Sequence, residues 1–199
     1  MEFFQTAEGI PFRLGILPGT FNPVTVAHLA LAQAALAVVD EVLFVLPRAF
    51  PHKPYVGASF DQRVHMLQDT LRDNPAISIA ASQGGLFSEI AAECRIAYRP
   101  NTRLTFLCGR DAAERIAGWD YGQPGAFDAM LRKFDLLVAA RAGEYQIPEK
   151  WTAAITRLEL PGLFDHVSAT EVRELIARGE PWEHLVPPEV RDQVRRIYR

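Results

Sequence analysis

A chain of 199 residues has the length of one globular unit, and 49% hydrophobic with 23% charged residues excludes a disordered polymer. The formal charge is −3, and basic residues are dispersed apart from Arg191, Arg195, Arg196 and Arg199, which argues against nucleic acid as the main partner. No apolar run approaches the ~20 residues that span a bilayer, and Met1-Glu2-Phe3-Phe4-Gln5 lacks the basic start of a signal peptide. No membrane contact and a cytoplasmic location are therefore expected.

In chain order, apolar strands alternate with amphipathic helices. Residues 14–17 read as a short buried strand, followed by a turn over 18–23 and an Ala- and Leu-rich helix over 25–38. Residues 41–46 are a second strand, and a loop with Pro51, Pro54 and Gly57 leads to a helix over 60–72. Further strands are expected at 77–80, 104–108, 134–139 and 155–160, with helices over 88–98 and from Asp111 onward. The tail, 170–198, is helical with breaks at Gly179, Pro181 and Pro187-Pro188. Cys94 and Cys108 show no metal or redox spacing and read as reduced core residues.

This rhythm predicts an α/β fold, a Rossmann-like doubly wound parallel sheet with a small C-terminal helical part. Residues 1–199 are expected to form one domain, with 1–12 as an N-terminal extension and 170–199 as the helical part. Ligands of such sheets lie beyond the carboxyl ends of the strands, which singles out 18–28, 47–54, 109–119, 141 and 166–173.

The first of these segments, Pro18-Gly19-Thr20-Phe21-Asn22-Pro23-Val24-Thr25-Val26-Ala27-His28, leaves a strand and opens a helix. Gly19 allows close backbone approach, and the helix N-terminus favours an anion. Thr25 and His28 are three apart, so both could reach a phosphate from the first turn. The same spacing also suits a Thr N-cap with a His packed beside the sheet. The segment is neither a Walker A loop nor a GxGxxG fingerprint. It resembles the signature of the nucleotidyltransferases that carry Gly-Thr-Phe-Asp/Asn-Pro followed by His/Thr-x-Gly-His. Thr25 stands where the bacterial pattern has a first His, Ala27 replaces a common Gly, and His28 matches the His that the family uses on the triphosphate.

Ser168-Ala169-Thr170-Glu171-Val172-Arg173 precedes an apolar helical run, and Ser168 with Glu171 has the spacing of a capping box. Thr170 and Arg173 share a face at a helix start, which also makes a pyrophosphate seat. The segment is similar to the family's second signature, Ile-Ser-Ser-Thr-x-Ile-Arg. With both motifs in place, the chain resembles the nicotinate (nicotinamide) mononucleotide adenylyltransferases from Leu14 to about Tyr198.

The resemblance implies further roles. Gly19, Thr20, Phe21, Asn22, Lys53, Gly109, Asp111, Ser168 and Thr170 would bind nucleotide or phosphate, with His28, Thr25 and Arg173 at the reacting phosphates. Lys53 lies in Pro51-His52-Lys53-Pro54, and Asp111 in a Gly-x-Asp motif that holds ribose hydroxyls in the family. Arg63 is read as structural. Trp119, the only large aromatic just past the fourth predicted strand, would stack on a pyridine ring, with Ser88 and Arg141 also at the acceptor. Gly84-Gly85-Leu86-Phe87-Ser88-Glu89-Ile90 departs most from the family, at the segment that recognises the pyridine carboxylate there.

The implied reaction joins ATP and nicotinate mononucleotide into the dinucleotide, releasing pyrophosphate. Mg²⁺ is expected to ride on ATP with few protein ligands, and no dedicated metal site is expected. A homo-oligomer is compatible with this reading. The alternatives are the same chemistry on nicotinamide mononucleotide or pantetheine phosphate, and a non-catalytic nucleotide sensor.

Overall fold

Side-chain alternation along the strands builds the architecture, because each central strand must bury both of its faces. The computed structural model describes residues 1–49, 57–139, 145–160, 164 and 166–199. Within them, strands β1 (Glu2–Gln5), β2 (Arg13–Pro18), β3 (Glu41–Pro47), β4 (Ile77–Ser82), β5 (Arg103–Gly109), β6 (Asp135–Ala139) and β7 (Ile155–Leu158) form one sheet in the order β1-β4-β3-β2-β5-β6-β7. All pairs are parallel except β1 with β4, which is antiparallel. The expected doubly wound α/β sheet is present, with one strand more than the sequence suggested.

Helices α1 (Val26–Ala35), α2 (Phe60–Leu71), α3 (Phe87–Ala97), α4 (Arg110–Ala117), α5 (Ala126–Leu131), α6 (Ala169–Arg178) and α7 (Arg191–Ile197) cover the sheet. In β3, Val42, Phe44 and Leu46 join one core, while Leu43 and Val45 join the other. The first core packs residues of α1, α2, α6 and α7; the second packs residues of α3, α4 and α5. The helices start where their caps dictate. Ser59 accepts from Gln62 N–H (3.2 Å) while Gln62 Oε1 accepts from Ser59 N–H (2.8 Å), a full capping box for α2. Helix α6 ends at Gly179, whose φ of 69° lets its own N–H and that of Glu180 return to Ile176 and Leu175 carbonyls.

Several boundaries differ from expectation. The first helix ends at Ala35 rather than 38, and α3 begins one residue earlier, at Phe87, with Leu86 as its N-cap. The N-terminal extension contributes β1, and α5 was not anticipated. No helix among the described residues is long and apolar enough to cross a membrane.

The entry to β2 is tied to the entry of β3 by Asp40. Its Oδ2 accepts from Phe12 N–H (3.0 Å) and Arg13 N–H (2.8 Å), and its Oδ1 meets Arg13 Nη2 at 2.7 Å. The Arg13 side-chain hydrogen bond, above all, holds the Asp40 carboxyl below its ordinary value of 3.8. A lowered folded-state value means stability that is present above the ordinary pKa and lost as pH falls through the folded one. Asp40→Asn should therefore cost about 1 kcal/mol or less at pH 7, since the pair is partly solvated. Urea melts of the two proteins should converge in acid; a difference that persists there would assign the effect to something other than the charge.

Candidate active site

A cavity of about 420 Å³ opens beyond the carboxyl ends of β2 and β5, with Pro18 and Gly109 in its lining. These neighbouring strands mark the point where the strand order reverses, because β2 leads to β3 on one side while β5 leads to β6 on the other. That is the crevice in which doubly wound sheets bind ligands. One wall comes from Thr25 and His28 at the start of α1 and from Ser168 and Ala169 at the start of α6. The other comes from Leu86, Phe87 and Ser88 at the start of α3 and from Arg115, Trp119 and Tyr121 on and after α4.

The first wall is built from helix caps. Thr25 N–H donates to His28 Nδ1 (3.0 Å), and Thr25 Oγ1 lies 2.8 Å from the same nitrogen. An imidazole that accepts a backbone N–H at Nδ1 carries its proton on Nε2, so this His is a hydrogen-bond donor there. Ser168 Oγ accepts from Glu171 N–H (3.0 Å), the N-cap half of the expected capping box, while the Glu171 carboxylate faces Arg178 (3.7 Å) rather than closing the box. The Ser168 hydroxyl keeps its own proton for a second partner, so capping and ligand binding do not compete.

The loop between β2 and α1 is shaped from beneath. Phe21 is fully buried, and its ring meets Phe44 at 5.4 Å and His28 edge-on at 5.1 Å between centroids. It reaches that place with a φ of 46°, a left-handed conformation that bulky residues rarely adopt. Arg63, 3% exposed, donates from Nη1 to Thr20 O (3.0 Å). Arg173 donates from Nη1 to Asn22 O and to Ala169 O (3.0 Å), and from Nη2 to Thr170 Oγ1 (3.3 Å). The Asn22 side chain is buried, where its Oδ1 accepts from Ala58 N–H (3.1 Å) and from the Tyr198 hydroxyl.

The sequence-predicted residues therefore divide. Thr25, His28, Ser88, Gly109, Trp119 and Ser168 line the cavity. Gly19, Thr20, Phe21, Asn22, Asp111, Thr170 and Arg173 are not among its described lining. Phe21 and the Asn22 side chain serve the core and the C-terminal tail, Gly19 N–H donates to Val45 O (3.0 Å), and Asp111 projects into solvent beside Arg110. Lys53 and Arg141 lie outside the described residues. Trp119 is not the lone aromatic past β5. Tyr121 lines the same cavity, while Phe87 is already stacked on Phe106 at 4.2 Å.

Among the lining residues able to contact a ligand through charge or a hydroxyl, Arg115 and Tyr121 escaped the sequence reading. Arg115 stands in the last turn of α4, where an arginine ordinarily complements the helix dipole, so its position in the sequence does not point to the cavity. Cys108 also lines the cavity, but burial pushes its thiol up to about 12, and burial does the same to Cys94, so neither is poised as a nucleophile. Among the described residues, no Asp or Glu lines the cavity, and no cluster of His, Cys, Asp or Glu could hold a metal ion.

Comparison with known proteins agrees with this geometry. Residues 16–175 match the cytidylyltransferase-like family. The chain is 30% identical to a "Probable nicotinate-nucleotide adenylyltransferase" of Geotalea uraniireducens, over 94% of this chain and 98% of that protein. It is 28% identical to the protein of the same name from Carboxydothermus hydrogenoformans, with the same coverage. Among solved structures, the Plasmodium falciparum nicotinic acid mononucleotide adenylyltransferase complexed with NaAD shares the fold, with a TM-score of 0.71 at 18% identity, covering 90% of this chain and 93% of that one.

The packing under the loop yields a direct test. A Cβ at Gly19 would sit 2.8 and 2.9 Å from two atoms of the Phe21 ring, which is enclosed and cannot withdraw. Gly19→Ala should lower stability by about 1–3 kcal/mol, the usual cost of overpacking. Urea unfolding measures it, and an unchanged midpoint would mean that Phe21 does not anchor the loop.

Proposed function

Because the chain belongs to the cytidylyltransferase-like family of nucleotidyltransferases, we propose that it transfers the adenylyl group of ATP to nicotinate mononucleotide, forming nicotinate adenine dinucleotide in NAD biosynthesis. The observation that carries this reading is a cavity at the strand-order reversal with the helix caps of Thr25, His28 and Ser168 on one wall and an aromatic, Ser-bearing wall opposite. An oxygen of the acceptor phosphate attacks the α-phosphorus of ATP, the bond to the bridging oxygen of the β-phosphate breaks, and pyrophosphate leaves. The attacking oxygen is already anionic, so no protein base is required. Positioning and charge stabilisation do the work.

In this reading the Nε2–H of His28 donates to the phosphates that surround the reacting phosphorus, and Thr25 holds the ring in that orientation. Ser168, Thr170 and Arg173 receive the leaving pyrophosphate. Trp119 stacks on the pyridine ring, and Ser88 donates to its substituent. Gly109 and Asp111 meet the ribose, and Lys53 and Arg141 add cations. Mg²⁺ enters as part of the ATP substrate. The relatives' shared name supports nicotinate over other acceptors.

Pyrophosphate release, measured with ATP and CTP against nicotinate mononucleotide, nicotinamide mononucleotide and pantetheine phosphate, tests the reading. ATP with nicotinate mononucleotide should give the highest kcat/KM. Turnover on pantetheine phosphate alone would replace the acceptor, and no turnover on any pair would favour a nucleotide sensor. His28→Ala should lower kcat by about 10²–10³-fold, as loss of a transition-state donor does. His28→Gln can still close the α1 cap, so a comparable loss in that variant separates catalysis from capping. Full activity in His28→Gln would reduce the histidine to a structural cap.

A further inference from the structure

The acceptor wall contains one cation that the reading above leaves unused. Arg115 is the only residue lining the cavity with a full positive charge among those described, and its guanidinium has no hydrogen bond or ion pair there. It lies in the last turn of α4, about 7.5 Å along the helix axis from Arg110. Trp119 follows four residues later and is 45% exposed. Leu86, 40% exposed, lines the same cavity from the start of α3. Large apolar side chains left partly open around one cavity mark a place for a flat apolar group.

The start of α3 looks at first like the natural seat for an anion on that group, since its first-turn N–H groups lack intrahelical acceptors. It already carries one. Glu89 folds back so that its Oε2 accepts from Leu86 N–H (3.0 Å), which puts a carboxylate at the positive end of the helix. A second carboxylate arriving there meets that negative charge, and Ser88 alone offers no compensating one. Attraction for an anion on this wall must come from elsewhere, and among the described lining residues Arg115 is the cation available.

Resting on the proposed acceptor, we infer that Arg115 is a specificity-determining residue that receives the carboxylate on the pyridine ring stacked at Trp119. The acceptor phosphate is the less suitable partner, because it must reach the α-phosphorus held by the His28 and Ser168 wall, whose helices pack on the opposite face of the sheet. The plain alternative is an arginine that complements the negative end of α4 and is otherwise solvated.

Arg115→Met and Arg115→Lys separate these cases, with kcat/KM and KM measured for nicotinate and nicotinamide mononucleotides and for ATP. If Arg115 binds the carboxylate, Arg115→Met lowers the acid-to-amide ratio of kcat/KM about tenfold or more, the scale of one charge-assisted hydrogen bond. The loss falls on KM for the acid, KM for ATP stays within about twofold, and Arg115→Lys recovers part of the ratio because charge remains without the planar fork. Where turnover of the amide is too slow to fit, the Kd values of the two mononucleotides give the same ratio. An unchanged ratio overturns the assignment, whether both acceptors weaken together, as for a phosphate contact, or neither weakens. Wild-type protein that turns over neither pyridine mononucleotide overturns the acceptor reading itself, a result distinct from an unchanged ratio in an active enzyme.

Discussion

The site depends on a phenyl ring packed beneath the loop between β2 and α1. Phe21 turns back under its own loop, fills the space beneath Gly19, and touches both Phe44 of the sheet and His28 of the first helix. The left-handed backbone that this requires costs on the order of 1–3 kcal/mol. Burying a phenyl side chain returns about 1.5–3 kcal/mol, so the conformation is held by the core rather than by a ligand. Two guanidinium groups complete the support, drawing the carbonyls of Thr20 and Asn22 inward. A trans peptide plane then turns the N–H of Phe21 away from Arg63. The loop thus stands over two positive charges, whose fields favour an anion beside it.

The topology then divides the labour. The helices that follow β2 and β7 pack on one face of the sheet and bring Thr25, His28 and Ser168 to the crevice; those that follow β4 and β5 pack on the other and bring Ser88, Arg115 and Trp119. The proposed ligand, with phosphates at one end and an aromatic ring at the other, would span a crevice that straddles the carboxyl end of the sheet. Neither wall alone could bring the two ends of such a ligand together.

Much of this was legible in the sequence because its signals are local. Runs such as Val42-Leu43-Phe44-Val45-Leu46 announce strands buried on both faces, and Ser168 ahead of an apolar helical run announces a helix start. The cavity residues Thr25, His28, Gly109 and Ser168 follow from being placed just past strands. What escaped depends on distant partners. Glu2-Phe3-Phe4-Gln5 becomes a strand only because β4 offers a free edge, and its burial pattern is weak. Asn22 belongs to a motif yet spends its side chain on Ala58 and Tyr198, the latter 176 residues away. Nothing near Asn22 in sequence signals that contact. Arg115 carries no local signal, because an arginine in the last turn of a helix is ordinarily a dipole partner; its place in the cavity shows only in the fold.

Arg173 is a strut of the fold, and its geometry leaves room for the ligand role proposed above. Both hydrogens of Nη1 are engaged, one by Asn22 O and one by Ala169 O, which locks the α6 start against the loop. The Nη2 edge is held less firmly, by Thr170 Oγ1 at 3.3 Å, near the outer limit for a useful hydrogen bond. In the proposed reaction, a pyrophosphate oxygen would make a shorter, charge-assisted bond to that edge and leave the threonine hydroxyl to donate in turn. The strut stays in place while the ligand is exchanged at the other nitrogen. A lysine has a single nitrogen, so it cannot brace the loop carbonyls and present a separate edge to phosphate at once. The planar fork is therefore required twice at this position, once by the fold and once by the proposed chemistry.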